Sequence, residues 1–402
     1  MLKRERYLKQ IRPFYHDDLI KVITGIRRSG KSFLLLQIID ELKSLGIKDE
    51  QIILIDLDSK PYFNLRTKDE LTKVIDELLI TNEPSYLFID EIQNIKDFEE
   101  VINSYRTSYN TSIFITGSNT YLLSGELITK LTGRYLEFQI FPFSYKESLD
   151  YLKSINQDIN FDLQNYISYG GLPKRFDYKD STDIIKYISS VSNQIIDKDI
   201  LSQVDIRNQD LLKRLIKYVS NNPASTFSSE SIYKYLKSEK INTKINTINR
   251  YLNFILNSKI INKCSRYDIK GKSTLKYEEK YYLSDLSFKS LVQNTNTISY
   301  SHALENIVYN EFKSKGYSIY IGKLYQKEID FIVEKGNKRA YIQVTYLMVD
   351  DKTYQREFEP LLMIKDNYPK FVISLDPLDL STKGIIHLNL IDDFLLKEEF
   401  VL

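Results

Sequence analysis

The sequence predicts an α/β protein whose N-terminal part is a parallel β-sheet covered by helices on both faces. Continuously apolar runs of strand length recur around Val22, at 52–55, at 86–89 and at 112–115. Such runs are typical of strands that are buried on both faces. Helix-like stretches separate them, in the rhythm of repeated β–α–β units. Because ligands bind at the carboxyl ends of such strands, the polar residues that follow each run are the candidate site.

A glycine-containing loop follows the first run. Residues 25–32 read Gly-Ile-Arg-Arg-Ser-Gly-Lys-Ser and precede a helix-like stretch at 33–45. The glycines let main-chain amides approach a chain of phosphates, Lys31 supplies a positive charge, and Ser32 offers a hydroxyl to Mg²⁺. The N-terminus of the next helix favours the same anion. A glycine-rich turn without a ligand is the alternative, but the strand and helix context favours a nucleotide site. The predicted nucleotide contacts are Gly25, Arg27, Arg28, Ser29, Gly30, Lys31, Ser32 and Phe33.

The composition is that of an ordinary globular protein, with 42% hydrophobic and 27% charged residues among 402. A net charge of +2 gives no global attraction for nucleic acid, so such a contact needs a local patch. The single cysteine, Cys264, excludes an intramolecular disulfide. The charged N-terminus lacks the apolar core of a signal peptide, and no apolar run approaches the roughly twenty residues of a membrane helix. We therefore expect a cytoplasmic protein with no membrane contact.

Two adjacent acidic residues, Asp90 and Glu91, follow the third apolar run. Beside a phosphate-binding loop, Asp90 is expected to hold Mg²⁺ opposite Ser32. Glu91 is placed to polarise a water molecule for attack on the γ-phosphate. An acidic pair after an apolar run is more often simply an exposed strand end. Here its position relative to the phosphate-binding loop favours a role in the nucleotide site. The pair therefore favours hydrolysis of a nucleotide over simple storage.

Three polar residues further along the chain are additional candidates for the phosphate site. Ser118 and Asn119 follow the fourth run, where they either sense the γ-phosphate and orient water or simply form a polar turn. Arg134 precedes a strand-like run at 135–140. An arginine there can reach the phosphates of its own or a neighbouring subunit, although most lone arginines are surface residues.

Several of these segments share a pattern with known proteins. They resemble a prokaryotic family of AAA+-type ATPases that carry a C-terminal domain of unknown function, itself similar to restriction-endonuclease-like folds. The resemblance extends over nearly the whole chain. The matching segments are 21–32, 87–91, 115–119, 123–126, 131–134 and 141–144.

The resemblance implies an ATPase that uses ATP and Mg²⁺. It implies that Lys31 and Ser32 bind the phosphates and the metal ion, and that Asp90 and Glu91 serve the metal ion and the attacking water. Ser118 or Asn119 would be a sensor of the γ-phosphate. Arg134 would be an arginine finger. The ATPase core is expected to occupy residues 1–142.

Residues 143–204 are predicted to form a helical lid. The segment 143–201 reads as helical, with a break at 169–173 in the sequence Tyr-Gly-Gly-Leu-Pro. That break suits the end of one helix and the start of another. A lid of this kind reports the nucleotide state by moving against the sheet. A purely structural hinge is the alternative.

Residues 205–292 predict a winged-helix-like segment, with three helices followed by a two-stranded hairpin that has basic residues at its tip. The helices are expected at 211–219, 228–236 and 243–256, and the strands at 263–268 and 274–283. A polar helix face can contact bases and the hairpin lysines can contact phosphate, but winged helices also serve as protein-contact modules. The candidate nucleic-acid residues are Thr243, Asn246, Thr247, Arg250, Lys270 and Lys272.

A polar linker introduces a last domain, 293–402, whose pattern resembles the core of PD-(D/E)XK nucleases. Asp330 matches a strand carboxylate of that pattern, and Glu305 lies in the preceding helix. However, Gln343 and Thr345 stand where an acid and a lysine are needed. A metal-dependent nuclease requires clustered carboxylates and a group that activates water. We therefore expect a nuclease-like α/β fold with degraded catalysis that binds nucleic acid or protein.

Two functions from different classes fit these patterns. In the first, ATP hydrolysis moves the lid while the C-terminal modules bind DNA or RNA. In the second, the ATPase is a switch or scaffold that gates association with a protein partner or with further copies of the same chain. The possible recognition helix favours the first function, and the near-neutral net charge favours the second.

Overall fold

The computed structural model describes residues 2–80, 82–117, 131–157, 161–201, 208–291, 299–348 and 350–400, without the side chains of 275–278, 290 and 291. The chain divides into two compact units. The first unit contains residues 1–142, 193–204 and 257–259, and the second contains 143–192, 205–256 and 260–402. Within the described ranges, no helix is both long and apolar enough to span a bilayer.

The described part of the first unit consists mainly of helices and strands, which alternate up to residue 116 as the apolar runs predict. They are α1 (Glu5–Ile11), β1 (Ile20–Thr24), α2 (Lys31–Ser44), β2 (Ile52–Asp56), α3 (Lys68–Leu78), β3 (Ser85–Asp90), α4 (Phe98–Ser108), β4 (Thr111–Thr116) and β5 (Tyr135–Gln139).

The five strands form one sheet in the order β2-β3-β4-β1-β5, and every neighbouring pair is parallel. The predicted parallel sheet is therefore confirmed. Strands β1, β3 and β4 are buried along their whole length. Strand β2 is buried only at alternate residues although its sequence is continuously apolar, because it lies at the edge of the sheet. Parallel pairing brings the carboxyl ends of all five strands to one edge, where the loop after β1 and the acids after β3 lie.

Each face of this sheet has its own hydrophobic core. On one face, side chains of α3 and α4 such as Leu71 and Ile102 pack against Val22 of β1. On the other face, α1 and α2 pack against alternate strand residues, among them Ile23 of the same strand. This alternation of neighbouring residues between two cores is what a strand geometry of period two requires. It holds the start of α2, and with it the phosphate-binding loop, in a fixed position against the sheet.

The second unit begins with helices and ends in a mixed sheet. Its elements are α5 (Tyr145–Ser154), α6 (Leu163–Tyr169), α7 (Ser181–Gln194), α8 (Gln209–Asn221), β6 (Ser225–Thr226), α9 (Ser229–Ser238), α10 (Ile245–Asn257), β7 (Ile261–Asp268), β8 (Ser273–Leu283), α11 (Tyr300–Ser314), β9 (Ser318–Leu324), β10 (Lys327–Lys335), β11 (Lys338–Val344), α12 (Asp351–Leu362), β12 (Lys370–Ser374) and β13 (Ile385–Asn389).

Helix α6 ends at the glycine pair that the sequence predicts as a break. Gly170 has a φ of 66°, in the left-handed region that favours glycine. A Cβ atom on Gly170 would overlap the carboxylate of Asp285, and one on Gly171 would overlap the carbonyl oxygen of Phe143. The amide of Gly171 donates a 2.7 Å hydrogen bond to Asp285. The glycine pair therefore ends the helix and also permits a close approach of distant segments.

Eight strands of the second unit form a single sheet in the order β13-β12-β11-β10-β9-β7-β8-β6. The sequence places a domain boundary at 292/293, whereas the sheet continues across it. Strand β7 of the hairpin pairs in parallel with β9, with Arg266 opposite Ile321. Pairing between strands that are distant in sequence produces no local sequence signal. The polar linker therefore suggests a domain boundary at a point that the strand pairing spans. The linker at 293–297 lies outside the described residues.

Candidate nucleotide site

The loop between β1 and α2 has the backbone that its glycines predict. Gly25 has a φ of 143° and Gly30 a φ of 101°, both outside the range that other residues adopt easily. A Cβ atom on Gly25 would overlap the carbonyl oxygen of Ile140, so the loop packs directly against the end of β5. Arg28 also has a positive φ, of 68°, and its side chain is exposed. The loop is thus a tight turn whose shape depends on glycine at two positions.

Lys31 is the first residue of α2 and its side chain is buried. Its ammonium donates hydrogen bonds to the carbonyl oxygens of Gly25 at 3.1 Å and Ile26 at 3.3 Å. Burial lowers the pKa of Lys31, and the nearby carboxylates of Glu91 and Asp90 oppose that shift. The lysine therefore folds back over the loop, where an anion held by the loop amides would meet its charge.

The loop and its neighbours fit a phosphate chain and a magnesium ion. The hydroxyl of Ser29 is buried and, among the described residues, has no hydrogen-bond partner, so a donor is available inside the loop. The hydroxyl of Ser32 lies near enough to the Asp90 carboxylate to lower its pKa, and the two groups supply oxygen ligands of the kind that Mg²⁺ prefers. In the part of the chain that the structure describes, no group of three or more His, Cys, Asp or Glu side chains could hold a metal ion.

The acidic pair lies at the end of β3, two strands from β1. Burial raises the pKa of Asp90, while hydrogen bonds from Ser32 and Thr116 lower it. Glu91 has a φ of 57°, which turns the chain sharply after the strand. Its carboxylate accepts a 2.6 Å hydrogen bond from the side-chain amide of Gln93. A buried carboxylate beside Ser32 and a half-exposed one after it are the arrangement expected for a metal-binding acid and a water-activating base.

Thr116 was not among the predicted site residues. Its hydroxyl donates a hydrogen bond to Asp90 and accepts one of 3.2 Å from the main-chain amide of Glu91. Thr116 ends β4, the strand between β1 and β3, so it lies directly beside the acids. Its role follows from the strand order, because a polar residue at the end of β4 lies between the ends of β1 and β3. The sequence alone does not give that order.

Arg4 and Asp199 were also missed. The guanidinium of Arg4 donates to the carbonyl oxygens of Ser29 at 3.2 Å and Phe141 at 2.9 Å, so it connects the loop to the segment after β5. Asp199 forms an ion pair of 3.0 Å with Arg27. Both residues are far from the loop in sequence, and no local pattern indicates either contact.

Arg134 does not lie near the loop of its own chain. It immediately precedes β5, where its carbonyl accepts from the amide of Ile20 at the start of β1. The loop follows the opposite end of β1. That strand is five residues long, so at about 3.3 Å per residue its two ends are about 15 Å apart. The Arg134 side chain is exposed and donates to Asn103 at 3.3 Å. The loop of its own chain is therefore out of reach of Arg134 in this structure, which leaves the alternatives of a neighbouring subunit's site and of a surface arginine.

The predicted γ-phosphate residues and the predicted aromatic contact of the loop remain to be placed. Ser118 and Asn119 lie outside the described residues. Phe33 is 56% exposed on the first turn of α2, next to the loop.

The predicted nucleic-acid residues on the third helix are mostly at the surface. Asn246 and Arg250 are exposed on α10, and Thr247 is half-buried. Thr243 was expected to open this helix, but α10 begins at Ile245. Thr243 therefore precedes the helix, and among the described residues its hydroxyl has no partner.

The hairpin has the predicted strands and a basic tip. Asp268 ends β7, and its carboxylate accepts hydrogen bonds from the amides of Lys270 at 3.0 Å and Gly271 at 3.1 Å. The side chains of Lys270 and Lys272 are exposed. The ammonium of Lys270 lies 4.9 Å from the centre of the Tyr325 ring, in the turn after β9. The pairing of β7 with β9 thus places the hairpin tip beside an aromatic side chain of the C-terminal segment.

The four nuclease-like positions are all buried. Asp330 on β10 lies next to Gln343 on β11, whose amide oxygen accepts a 3.3 Å hydrogen bond from the Asp330 main chain. The amide of Thr345 donates to the carbonyl of Ile373. Glu305 on α11 accepts a hydrogen bond of 2.7 Å from the Tyr282 hydroxyl. The residues matched in sequence therefore all lie in the interior of the second unit.

Comparison with known proteins assigns the first part of the chain to a known type of domain. A family model described as an AAA domain matches residues 17–149, which contain the phosphate-binding loop, the acidic pair and Thr116. A domain of unknown function, DUF8612, matches residues 160–298. An uncharacterized protein of Haemophilus influenzae is 37% identical over 377 residues, 93% of each chain. The chain belongs to the same family as this protein, a family with an AAA domain. Uncharacterized protein MJ1544 of Methanocaldococcus jannaschii is 30% identical over 348 residues, 81% of this chain and 74% of that one.

Solved structures resemble this AAA-domain protein more distantly. The Aeropyrum pernix ORC1 protein, in complex with DNA, aligns with 72% of this chain and 92% of its own, at 11% identity and a TM-score of 0.32. AMPPCP-bound DnaA from Aquifex aeolicus aligns with 62% of this chain and 85% of its own, at 15% identity and a TM-score of 0.30. The match to an AAA domain and the parallel sheet confirm the predicted P-loop fold of the AAA+ type.

Proposed function

We propose that this AAA-domain protein binds ATP with Mg²⁺ and hydrolyses it to ADP and phosphate, and that its second unit binds nucleic acid. The observation that carries the ATPase proposal is the convergence of Lys31 and Ser32 with the acidic pair Asp90–Glu91 at one edge of the sheet. Two of these residues follow β1 and two end or follow β3. Only a fold with the observed strand order brings them together.

In this proposal each residue has a separate role. The loop amides and Lys31 bind the phosphates, and Ser32 and Asp90 hold the magnesium ion. The ion neutralises charge that develops on the phosphates. Glu91 orients the attacking water and accepts its proton. Thr116 fixes the distance between the two acids, because its hydroxyl contacts both the Asp90 side chain and the Glu91 main chain.

The ATPase proposal is tested with three proteins: the wild type, Lys31→Ala and Glu91→Gln. Binding of a fluorescent ATP analogue and release of phosphate are measured for each. We expect Lys31→Ala to lose binding, and Glu91→Gln to keep it while turnover falls by about 10²- to 10⁴-fold. Unchanged turnover in Glu91→Gln would falsify the assignment of the base. Equal binding by the wild type and Lys31→Ala would place the nucleotide elsewhere.

Arg134 is proposed to act on the ATP site of a neighbouring copy of the chain. Its exposed side chain at the far edge of the sheet is available to a second subunit but not to its own loop. A hydrolytic site completed in this way requires an assembly of at least two copies.

The nucleic-acid proposal rests on a different set of residues. Asn246 and Arg250 are exposed on α10, and Lys270 and Lys272 are exposed at the hairpin tip. Exposed amide and guanidinium groups on a helix can contact base edges, and lysines on a hairpin can contact phosphate. The lysines would make binding depend on salt, because each phosphate contact releases counterions.

Binding to labelled single-stranded and duplex DNA, and to RNA, is measured as a function of salt concentration. We expect Lys270→Ala/Lys272→Ala to weaken binding and to reduce the slope of log affinity against log salt by about two. Lys383→Ala is the control, because it removes one positive charge at an exposed lysine before β13, as each hairpin substitution does. If the wild type binds none of the three nucleic acids at low salt, the second unit is a protein-contact module. That result leaves the ATPase proposal intact.

A further inference from the structure

The buried carboxylates of the nuclease-like core already have a cation among them. The ammonium of Lys280, on β8, lies 2.9 Å from the carboxylate of Glu305 on α11 and 2.7 Å from that of Glu328 on β10. Glu305 and Asp330 are the two carboxylates of the nuclease-like pattern, and Glu328 lies on the same strand as Asp330. We propose that Lys280 is the permanent counter-cation of this carboxylate cluster, in place of a divalent metal ion.

The cluster is buried deeply enough to require a counter-charge. The side chains of Lys280 and Glu305 are 9% and 8% exposed. A buried charge that loses its partner strongly destabilises the folded state. Burial by itself would lower the pKa of Lys280, but Glu305, Asp330 and Glu328 outweigh burial, and the pKa of Lys280 is raised. The lysine therefore stays charged in the interior because of these neighbouring acids.

Neighbouring contacts complete the balance of charge. Glu328 also pairs with Arg266 on β7 at 2.7 Å, so two cations face two carboxylates. The Tyr282 hydroxyl donates a second hydrogen bond, of 2.7 Å, to the Glu305 oxygen that Lys280 contacts. Burial and the charge of Glu305 raise the pKa of Asp330, and the charge of Lys280 opposes that shift. Each of the two cations is thus in contact with at least one of the two carboxylates.

The remaining groups do not fit a divalent metal ion. Asp330 uses one carboxylate oxygen to accept a 2.8 Å hydrogen bond from the amide of Val344. Gln343 is neutral, and its amide oxygen is occupied by the main chain of Asp330. In the described part of the chain, no set of three or more acidic, His or Cys side chains is arranged to hold a metal. The side chains of the nuclease-like core therefore do not provide the metal-binding site that the sequence pattern suggests.

The contact has a structural consequence as well. Lys280 belongs to the hairpin, whereas Glu305 and Glu328 belong to the C-terminal segment that the sequence treats as a separate domain. An ion pair between them fastens the hairpin to the nuclease-like core. Any binding by this surface would then be independent of metal, and no phosphodiester cleavage would accompany it.

The test uses thermal unfolding of the full chain without nucleotide. We expect Lys280→Met to lower the melting temperature by about 10 °C, and Glu305→Gln in the same chain to restore part of that loss. Lys263→Met is the matched control, because Lys263 forms an exposed ion pair with Glu279 on the same hairpin. We expect that change to shift the melting temperature by about 1 °C or less.

A second measurement keeps the proposal testable even if Lys280→Met does not fold. The wild type and Glu305→Gln are melted in EDTA, in Mg²⁺ and in Mn²⁺. We expect any response to metal to be the same in both proteins, because the cluster binds none. A stabilisation by Mn²⁺ that Glu305→Gln abolishes would overturn the proposal. So would a Lys280→Met protein as stable as the Lys263→Met control.

Discussion

The guanidinium of Arg27, in the phosphate-binding loop, forms a 3.0 Å ion pair with the carboxylate of Asp199. Asp199 lies in a π-helical turn, Ile195–Leu201, that follows α7 and belongs to the first unit. Both groups are largely buried, with side-chain exposures of 24% and 9%. The loop is therefore held by an internal anion, and a phosphate that used Arg27 would have to compete with it.

We predict that Asp199→Asn strengthens ATP binding about three- to tenfold, since a partly buried ion pair of this kind is worth about 1 kcal/mol. The affinity for a fluorescent ATP analogue measures the change. Asp197→Asn is the control, because Asp197 is exposed on the same turn and loses the same charge. Weaker binding in Asp199→Asn would show that the carboxylate positions Arg27 for the phosphates instead of competing with them.

Thr116 is predicted to be a positioning residue for the two acids. Thr116→Val keeps the shape of the side chain but removes the hydroxyl, so Asp90 loses a hydrogen bond and the Glu91 amide loses its acceptor. We expect turnover to fall by about tenfold, and the Mg²⁺ concentration for half-maximal activity to rise, while ATP affinity changes little. Steady-state kinetics at several Mg²⁺ concentrations measures both effects.

Thr116→Ser is the conservative partner of that variant and retains the hydroxyl. It should recover most of the activity and the Mg²⁺ dependence. Equal defects in Thr116→Val and Thr116→Ser would mean that packing of the methyl group matters, and that the hydroxyl has no positioning role.

Arg134→Ala is expected to slow hydrolysis without weakening ATP binding, because the side chain is remote from its own loop. Loss of an arginine that acts on a neighbouring site typically costs 10³-fold or more. Mixing Arg134→Ala with Glu91→Gln should restore part of the activity, since some assembled sites then combine an intact base with an intact arginine. The phosphate release of the mixture is compared with the sum of the separate proteins, and a simple sum would exclude action between subunits.

A charged cluster that fastens the N-terminal segment to α2 should make stability depend on pH. Glu41 on α2 accepts hydrogen bonds from Arg12 at 2.7 Å and Tyr15 at 2.8 Å, and pairs with Lys3 at 2.8 Å. Hydrogen bonds from Arg12, outweighing burial, lower the pKa of Glu41 to about 2.

Because the folded pKa lies below the ordinary value of 4.5, the stabilisation is present above pH 4.5 and is lost as the pH falls towards 2. We predict that Glu41→Gln melts at a lower temperature than the wild type at neutral pH. The difference should disappear between about pH 4.5 and pH 2. Melting curves across that range test this, and a difference that is independent of pH would assign the effect to packing.

The sequence was most informative where chemistry is local. The glycines, Lys31 and Ser32 lie within one loop, and Asp90 and Glu91 are adjacent, so their residue types and spacing predict the site and the parallel sheet around it. The contacts of Thr116, Arg4 and Asp199 were not predictable in this way, because each depends on strand order or on a segment far away in the chain. Arg134 shows the same limit: its sequence neighbours suit a phosphate contact, but parallel pairing places it at the opposite edge of the sheet.

The sequence by itself determined that this protein has a phosphate-binding loop followed by an acidic strand end, since such motifs need only neighbouring residues with suitable backbone and charge. Only the tertiary structure decided what surrounds the buried carboxylates of the second unit. Their partner, Lys280, comes from a strand that sequence reasoning assigns to another domain. Strand pairing and burial act between distant residues, and the cost of burying an unpaired charge selects a partner that no local pattern reveals.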